Sequence, residues 1–411
     1  MEAEEVHRCV KCGLCLVTCP VYQELREESA SPRAKVQLIK HYAARDLPTS
    51  PHLSELVSRC LMCGSCTANC PSGVRHDSLF RRMRSDLIDD YGENWKKKVL
   101  YHFLTHAAQL HWASKFAAFG RNVVLEKIAQ EVKIGNIPLK RLPKFNQKPF
   151  RDQIADVIEP LGKPRGRVLY FTGCGTNYIY ADVGRATVQV LQRMGYRVGI
   201  PKDQVCCGLP LFIQGSVSKT KENILKNIAL FTRPDIDAVI VDCATCGSAL
   251  RHEYPAVLAD LQTDTREALE LSRKVKDIGE FIFDNVEHLQ PFLKATASPT
   301  IVTYHSPCHL RNAQGVKTHV EQLLEALPPV DYIRSVDFDS CCGGGGTFFY
   351  DHPNLSQRIV AKKIENAKAT GARLLATGCP GCRVNLAGNL EETDAIEVVH
   401  PIQVVELGLK V

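Results

Sequence analysis

The chain has 411 residues, 45% of them hydrophobic and 23% charged, values that exclude a disordered, collagen-like or coiled-coil protein and allow two or three compact units. A formal net charge of +6 is too small for the whole chain to be read as a nucleic-acid binder. Eighteen cysteines separate it from ordinary hydrolases.

The acidic start, Met1 to Glu5, leads into neither an apolar core nor a cleavage site, so a cytoplasmic location is expected. In a reducing compartment, tightly spaced cysteines are thiolate ligands rather than a disulfide framework. Cys9, Cys12, Cys15 and Cys19 are followed by Pro20, and the same C-x2-C-x2-C-x3-C-P run returns 51 residues later as Cys60, Cys63, Cys66 and Cys70 before Pro71. Bacterial ferredoxins use this run to hold two 4Fe-4S cubanes, with the cysteine before proline bonding the other cluster. The expected sets are therefore Cys9, Cys12, Cys15 and Cys70 for one cubane, and Cys60, Cys63, Cys66 and Cys19 for the other. Zinc bound by C-x2-C pairs competes with this reading but leaves the third cysteine and the proline unexplained.

Between the runs, Ser31-Pro32 reads as an N-cap with proline at the first helical position, followed by Val36, Leu38, Ile39 and Tyr42 in helical spacing. A second helix is expected from about Asp77 to Tyr91, closed by Gly92. From Asn94 to Phe150 eleven basic residues, Lys96, Lys97 and Lys98 among them, oppose only Glu126 and Glu131, a net of +9 that leaves −3 for the rest. Trp95, Val99, Phe103, Ala107 and Leu110 recur at helical spacing, which predicts a basic amphipathic helix. Its apolar face either packs on the core or docks on a membrane surface or partner, with Lys115 and Arg121 adding to the basic margin. The longest uncharged run, Val99 to Ser114, has 16 residues, too few to span a bilayer.

The other ten cysteines form a tandem repeat: Cys174, Cys206-Cys207 and Cys243-x2-Cys246, then Cys308, Cys341-Cys342 and Cys379-x2-Cys382, displaced by 134 to 136 residues. Strands at 167–172 and 238–241 end at Cys174 and Cys243, with a helix at 181–194. Strands at 300–304 and 374–377 end at Cys308 and Cys379, with a helix expected from about Leu310 to Leu327. This alternation predicts α/β modules with mainly parallel sheets, whose strand C-termini gather three of the five cysteines. Five thiols exceed the four that a cubane or a zinc ion takes, so one would bridge irons of a larger or distorted cluster or stay free for redox work. Gly343 to Gly346 lack a phosphate-loop context; close backbone approach to a cluster, with amides bonding its sulfurs, is expected instead. His305 and His309 flank Cys308 as tuning or structural groups. The expected divisions are 1–93, 94–164, 165–298 and 299–411.

With these motifs in place, the chain resembles the iron-sulfur subunits of glycolate oxidase and of flavin-dependent D-lactate dehydrogenases. The likeness rests on the two ferredoxin runs, Ser31-Pro32-Arg33, Pro71-Ser72-Gly73-Val74 and two modules similar to the CCG domains of heterodisulfide reductase. It implies an α-helical ferredoxin-type domain followed by two α/β CCG modules, each holding a noncubane 4Fe-4S cluster through all five cysteines. It also implies an oxidoreductase subunit that passes electrons from FAD on a hydroxy-acid dehydrogenase partner towards a quinone or another acceptor, with hydroxy-acid oxidation itself on that partner. Peripheral attachment to the inner membrane is one expected route to a quinone. The rival reading is a catalytic heterodisulfide reductase-type subunit that cleaves a disulfide at a noncubane cluster. Ser306 departs from the aspartate common in the family, which bears on local tuning and not on ligation.

Overall fold

The computed structural model describes residues 3–92, 94–120, 122, 133–134, 137–138, 143–294 and 298–410. Its first part is helical: α1 (Ala3–His7), α2 (Leu14–Val17), α3 (Pro20–Leu25), α4 (Pro32–Ala43), α5 (Pro51–Ser58), α6 (Ser65–Ala68) and α7 (His76–Tyr91). The predicted caps are present. Ser31 Oγ accepts the Ala34 amide at 3.1 Å, and Gly92, at φ 73°, closes α7 on the Ile88 carbonyl. In both cysteine loops the chain winds through left-handed residues, Lys11 and Gly13 in one, Met62 and Gly64 in the other, and so curls round a common centre.

Residues 95–119 depart from the expected single helix, which is broken at His106 into α8 (Trp95–Thr105) and α9 (Ala107–Phe119). The predicted apolar row is not the buried one. Trp95 is 69% and Val99 50% exposed, whereas Tyr101 is 1% exposed. Polar anchoring sets the rotation of α8: Lys97 pairs with Asp351 at 2.8 Å and bonds Gln214 at 3.3 Å, turning the row Lys97, Tyr101, Leu104 inward. Arg121 lies outside the described residues.

The first module carries β1 (Val157–Ile158), β2 (Gly166–Phe171), α10 (Gly173–Tyr178), α11 (Ala181–Arg193), β3 (Tyr196–Gly199), α12 (Leu209–Phe212), α13 (Lys221–Phe231), β4 (Ala238–Val241), α14 (Ala244–Ser248), α15 (Tyr254–Asp260), β5 (Val275–Asp277) and α16 (Ile278–Asp284). Its sheet order is β1-β3-β2-β4-β5, parallel except for the antiparallel edge strand β1. The second module has β6 (Thr300–Tyr304), α17 (His319–Glu325), β7 (Val330–Tyr332), α18 (Pro353–Lys368), β8 (Leu374–Ala376), α19 (Pro380–Ala387), β9 (Glu397–Val399) and α20 (Pro401–Leu407). Its order, β7-β6-β8-β9, is all parallel and repeats the β3-β2-β4-β5 order of the first. The expected helix from Leu310 to Leu327 is interrupted: a wide turn covers His309–Ala313, Gly315 takes φ 73°, and α17 begins only at His319.

Helices interlock the modules, α11 against α20 and α16 against α17. Val190, Leu191, Val320, Leu323, Val404 and Val405 share one continuous core. The ferredoxin-type helices share a second core with the other face of the first sheet, through Phe80, Met83, Phe212, Ile213 and Val239. Burial on this scale, at about 25 cal/mol per Å² of apolar surface, makes the cysteine sites parts of one packed body.

Candidate iron-sulfur sites

Cys9, Cys12, Cys15 and Cys70 line one cavity. Cys19, Cys60, Cys63 and Cys66 line another. The last cysteine of each run thus faces the partner run's loop. Burial, reinforced by neighbouring thiols, pushes Cys15 up to about 11 and Cys19 up to about 12. Cys60, Cys63 and Cys66 are pushed up along with Cys19, and the four thiols of that second cavity ionise together only when a cation replaces their protons. The amides of Met62 and Val74 approach Cys60 Sγ and Cys70 Sγ, each at 3.4 Å. The second cavity also has two buried cations beside it. Lys35 donates to the Ala30 carbonyl at 2.6 Å and its charge faces Cys60, Cys19 and Cys66; the Arg84 guanidinium donates to the Cys60 carbonyl at 2.8 Å. Sequence patterns carry no sign of either residue's part here, because both lie on helices outside the cysteine loops.

In the first module Cys174 opens α10, Cys206 and Cys207 lie on the loop before α12, Cys243 caps α14 and Cys246 lies within it. Their thiols touch in series: Cys174 with Cys206, Cys206 with Cys207, Cys207 with Cys246, Cys246 with Cys243. Hydrogen bonds from Cys206 and Cys246 pull Cys207 down to about 5. The second module repeats the series through Cys308, Cys341, Cys342, Cys382 and Cys379. Each set of five converges at the carboxyl edge of its sheet, the position expected from the strand endings. Five thiols in one space, four of the five cysteines buried and the first of each set partly so, with amides directed at their sulfurs, suit a multinuclear iron-sulfur group and exceed what one zinc ion takes.

Two contacts join these sites. Cys63 meets Cys341, held there by Asn312, which donates to the Cys63 carbonyl at 2.9 Å. Cys243 meets Cys379 across the module boundary, where the Ala244 amide donates to the Gly378 carbonyl at 2.9 Å. The glycine run behaves differently from expectation in part. The Gly344 amide bonds Cys342, but Gly345 and Gly346 make their closest approaches to Leu61 and Ile213, where an added Cβ would lie 2.6 and 2.9 Å away. Gly345 lets the second module close on the second cysteine loop, and Gly346 lets it close on the first module, rather than on a cluster. His309 is tied to Thr245 at 3.3 Å. His305 is fully buried beside Cys342 and Cys382.

A cavity between the three parts is lined by Cys63, Asp77, Arg81, Glu253, His309 and Asn312. Arg81 bridges Glu253 at 3.1 Å and Asp260 at 3.4 Å. Burial outweighs Arg81's field and raises Glu253 from 4.5 to about 7. A carboxyl raised on folding binds more protons in the native state than in the unfolded one between those values, so its contribution to stability falls as pH rises through that window and stays low above it. Glu253→Gln is expected to remove this component. The difference in unfolding free energy between the two proteins should change by up to about 3 kcal/mol between pH 4.5 and pH 7, measured by denaturant titration at each pH. A constant difference would show that folding leaves the proton affinity of Glu253 unchanged.

Residues 5–74 match the 4Fe-4S dicluster domain family, and residues 168–251 and 302–387 each match the cysteine-rich domain family. The chain is 29% identical to a probable glycolate oxidase iron-sulfur subunit of Bacillus subtilis, over 100% of this chain and 95% of that protein. It is 31% identical to lactate utilization protein A of Oceanobacillus iheyensis, over 57% of this chain and 94% of that one. It is also 27% identical to a component of the dihydromethanophenazine:CoB–CoM heterodisulfide reductase of Methanosarcina acetivorans, over 99% of this chain and 95% of that one. A crystal structure of a hypothetical protein from Helicobacter pylori superposes with TM-score 0.52 at 11% identity, over 92% of this chain and 66% of that one, just under two thirds; this shows a common fold. A helical dicluster domain and two cysteine-rich modules, matched along the whole length by the Bacillus subtilis protein and over part of it by lactate utilization protein A, place the chain in the oxidoreductase iron-sulfur family that includes the glycolate oxidase iron-sulfur subunits and lactate utilization protein A.

Proposed function

We propose that this chain is the electron-transfer subunit of a flavin-dependent 2-hydroxy-acid dehydrogenase acting on glycolate or D-lactate, with FAD and hydroxy-acid oxidation on a partner subunit. Cys9, Cys12, Cys15 and Cys70 would hold one cubane, and Cys60, Cys63, Cys66 and Cys19 the other. Cys174, Cys206, Cys207, Cys243 and Cys246 would hold a noncubane cluster in the first module, as would Cys308, Cys341, Cys342, Cys379 and Cys382 in the second. Such clusters supply one-electron steps between a two-electron flavin and its acceptor.

The observation that carries this reading is the unbroken series of thiol contacts from the second cubane cavity, through Cys63 and Cys341, to Cys379 and Cys243. Lys35 and Arg84 place buried positive charge at the Cys60 cavity, which favours the more negative, reduced state there. Affinity purification of the full chain from its own cell should recover an FAD protein, and adding glycolate or D-lactate to that complex should bleach the cluster absorbance. A purified chain with no flavoprotein and no such bleaching would overturn the reading. The second reading, a heterodisulfide-cleaving subunit, is favoured by the Cys243–Cys379 contact between modules; turnover of a thiol heterodisulfide without any hydroxy acid would support it.

Among the described residues no helix is long and apolar enough to cross a membrane. Trp95, Trp112, Phe116 and Phe119 are nevertheless 62 to 74% exposed on α8 and α9, beside Lys96, Lys98 and Lys115. This surface suits an anionic membrane interface, where each basic residue contributes about 1 kcal/mol, and it would bring the complex to a quinone. Lys97 is already paired with Asp351, so the informative variant is Lys96→Glu with Lys98→Glu. Binding to vesicles containing anionic lipid is expected to fall by roughly thirtyfold or more, with reduction of a soluble dye unchanged. Equal vesicle binding by both proteins would remove the membrane role.

A further inference from the structure

We propose that His305 supplies a sixth, nitrogen donor to the iron-sulfur site of the second cysteine-rich module. This rests on the reading that the second module binds such a group. His305 follows β6, three residues before Cys308, and is fully buried. One of its ring nitrogens, Cys342 Sγ and Cys382 Sγ all lie within 4.8 Å of one another. Neither ring nitrogen has a well-formed hydrogen bond, a state in which buried polar atoms are seldom left unless an ion or water completes them. The Phe338 carbonyl lies near enough to the ring to act on it, the kind of partner that takes the free N–H of a metal-bound imidazole.

Among the described residues, no such donor stands beside the thiols of the first module. The residue three places before Cys174, also at the end of its strand, is Phe171, equally buried and packed on Phe231. Strand pairing supports the equivalence: Phe171 pairs with Val241 two residues before Cys243, and the His305 amide donates to the Ala376 carbonyl, three residues before Cys379. The modules therefore share five thiols each but differ in chemistry at this one position. An imidazole added beside five thiolates changes the donor set without removing a thiolate, so His305 would set the potential of the second module apart from that of the first.

The test uses the holoprotein with 15N-labelled histidine, in the redox state where the second module's cluster is paramagnetic, read by pulsed electron paramagnetic resonance. Strong coupling to a histidine nitrogen is expected, lost in His305→Gln and retained in His309→Gln, with iron and sulfide content of the second module kept in all three. Absence of strong histidine coupling in the unsubstituted protein overturns the assignment without needing any variant to fold. Coupling that survives in His305→Gln overturns it too. Stoichiometric zinc in the second module, or no cluster there at all, would sink both this proposal and the functional reading beneath it, and metal analysis of the same sample separates that outcome from loss of the nitrogen signal alone.

Discussion

Cys19→Ala is expected to remove the cluster at Cys60, Cys63 and Cys66, to leave that at Cys9, Cys12, Cys15 and Cys70 in place, and to cut hydroxy-acid-driven electron transfer by more than about a hundredfold. Cys19 stands at the N-terminus of α3, 41 residues before Cys60, yet it faces the Cys60 cavity. Changing a residue that merely supports a metal ligand costs roughly 10 to 100-fold in affinity or activity, and removal of a ligand should exceed that. The second cavity is also the one whose Cys63 touches Cys341, so its loss would separate the first cubane from both cysteine-rich modules. Iron and sulfide analysis with low-temperature magnetic resonance of the purified variant checks the prediction. Selective loss of the first cubane instead would reverse the cross-over.

Arg84→Met should destabilise the folded protein by about 3 to 5 kcal/mol. The Arg84 guanidinium is buried and donates to the carbonyls of Ile213 and Cys60, each at 2.8 Å, Val57 at 3.2 Å and Ser58 at 3.3 Å. It is a strut between α7, the second cysteine loop and the first module. Methionine matches its apolar length but leaves these acceptors without donors, and each buried unsatisfied group costs roughly 1–3 kcal/mol unless water reaches it. Arg84→Lys keeps the charge with fewer donors in a different geometry, so it should fall between. The check is denaturant unfolding of cluster-loaded protein under exclusion of oxygen; a methionine variant as stable as the parent would mean that water replaces the guanidinium at every carbonyl.

Much of the local structure follows from neighbours in the chain. Ser31 and Gly92 terminate their helices where capping chemistry places them, and the strands at Ala238–Val241 and Thr300–Tyr304 have the bounds expected from their apolar runs. Where a neighbouring surface competes, local pattern fails. The row from Trp95 to Leu110 has helical spacing, but the Lys97–Asp351 pair and the break at His106 turn other residues inward. Gly315 ends a helix that the hydrophobic spacing alone would have carried through to Leu327.

The cysteine spacing by itself determines two ferredoxin-type loops, because ligands three residues apart in a tight turn meet whatever the rest of the chain does, and the tandem repeat with its strand and helix alternation marks out two five-thiol modules. Which site touches which is decided by tertiary packing alone. Cys63 and Cys341 are 278 residues apart with no periodicity to link them, and Cys243 and Cys379, 136 apart, are equivalent positions of the tandem repeat, which does not by itself bring them into contact. They meet because α11 packs on α20, α16 on α17, and Gly345 admits Leu61. His305, Lys35 and Arg84 acquire their places beside the thiols in the same way. A burial environment is the sum of many distant surfaces, and that sum exists only once the helices and sheets have closed on one another.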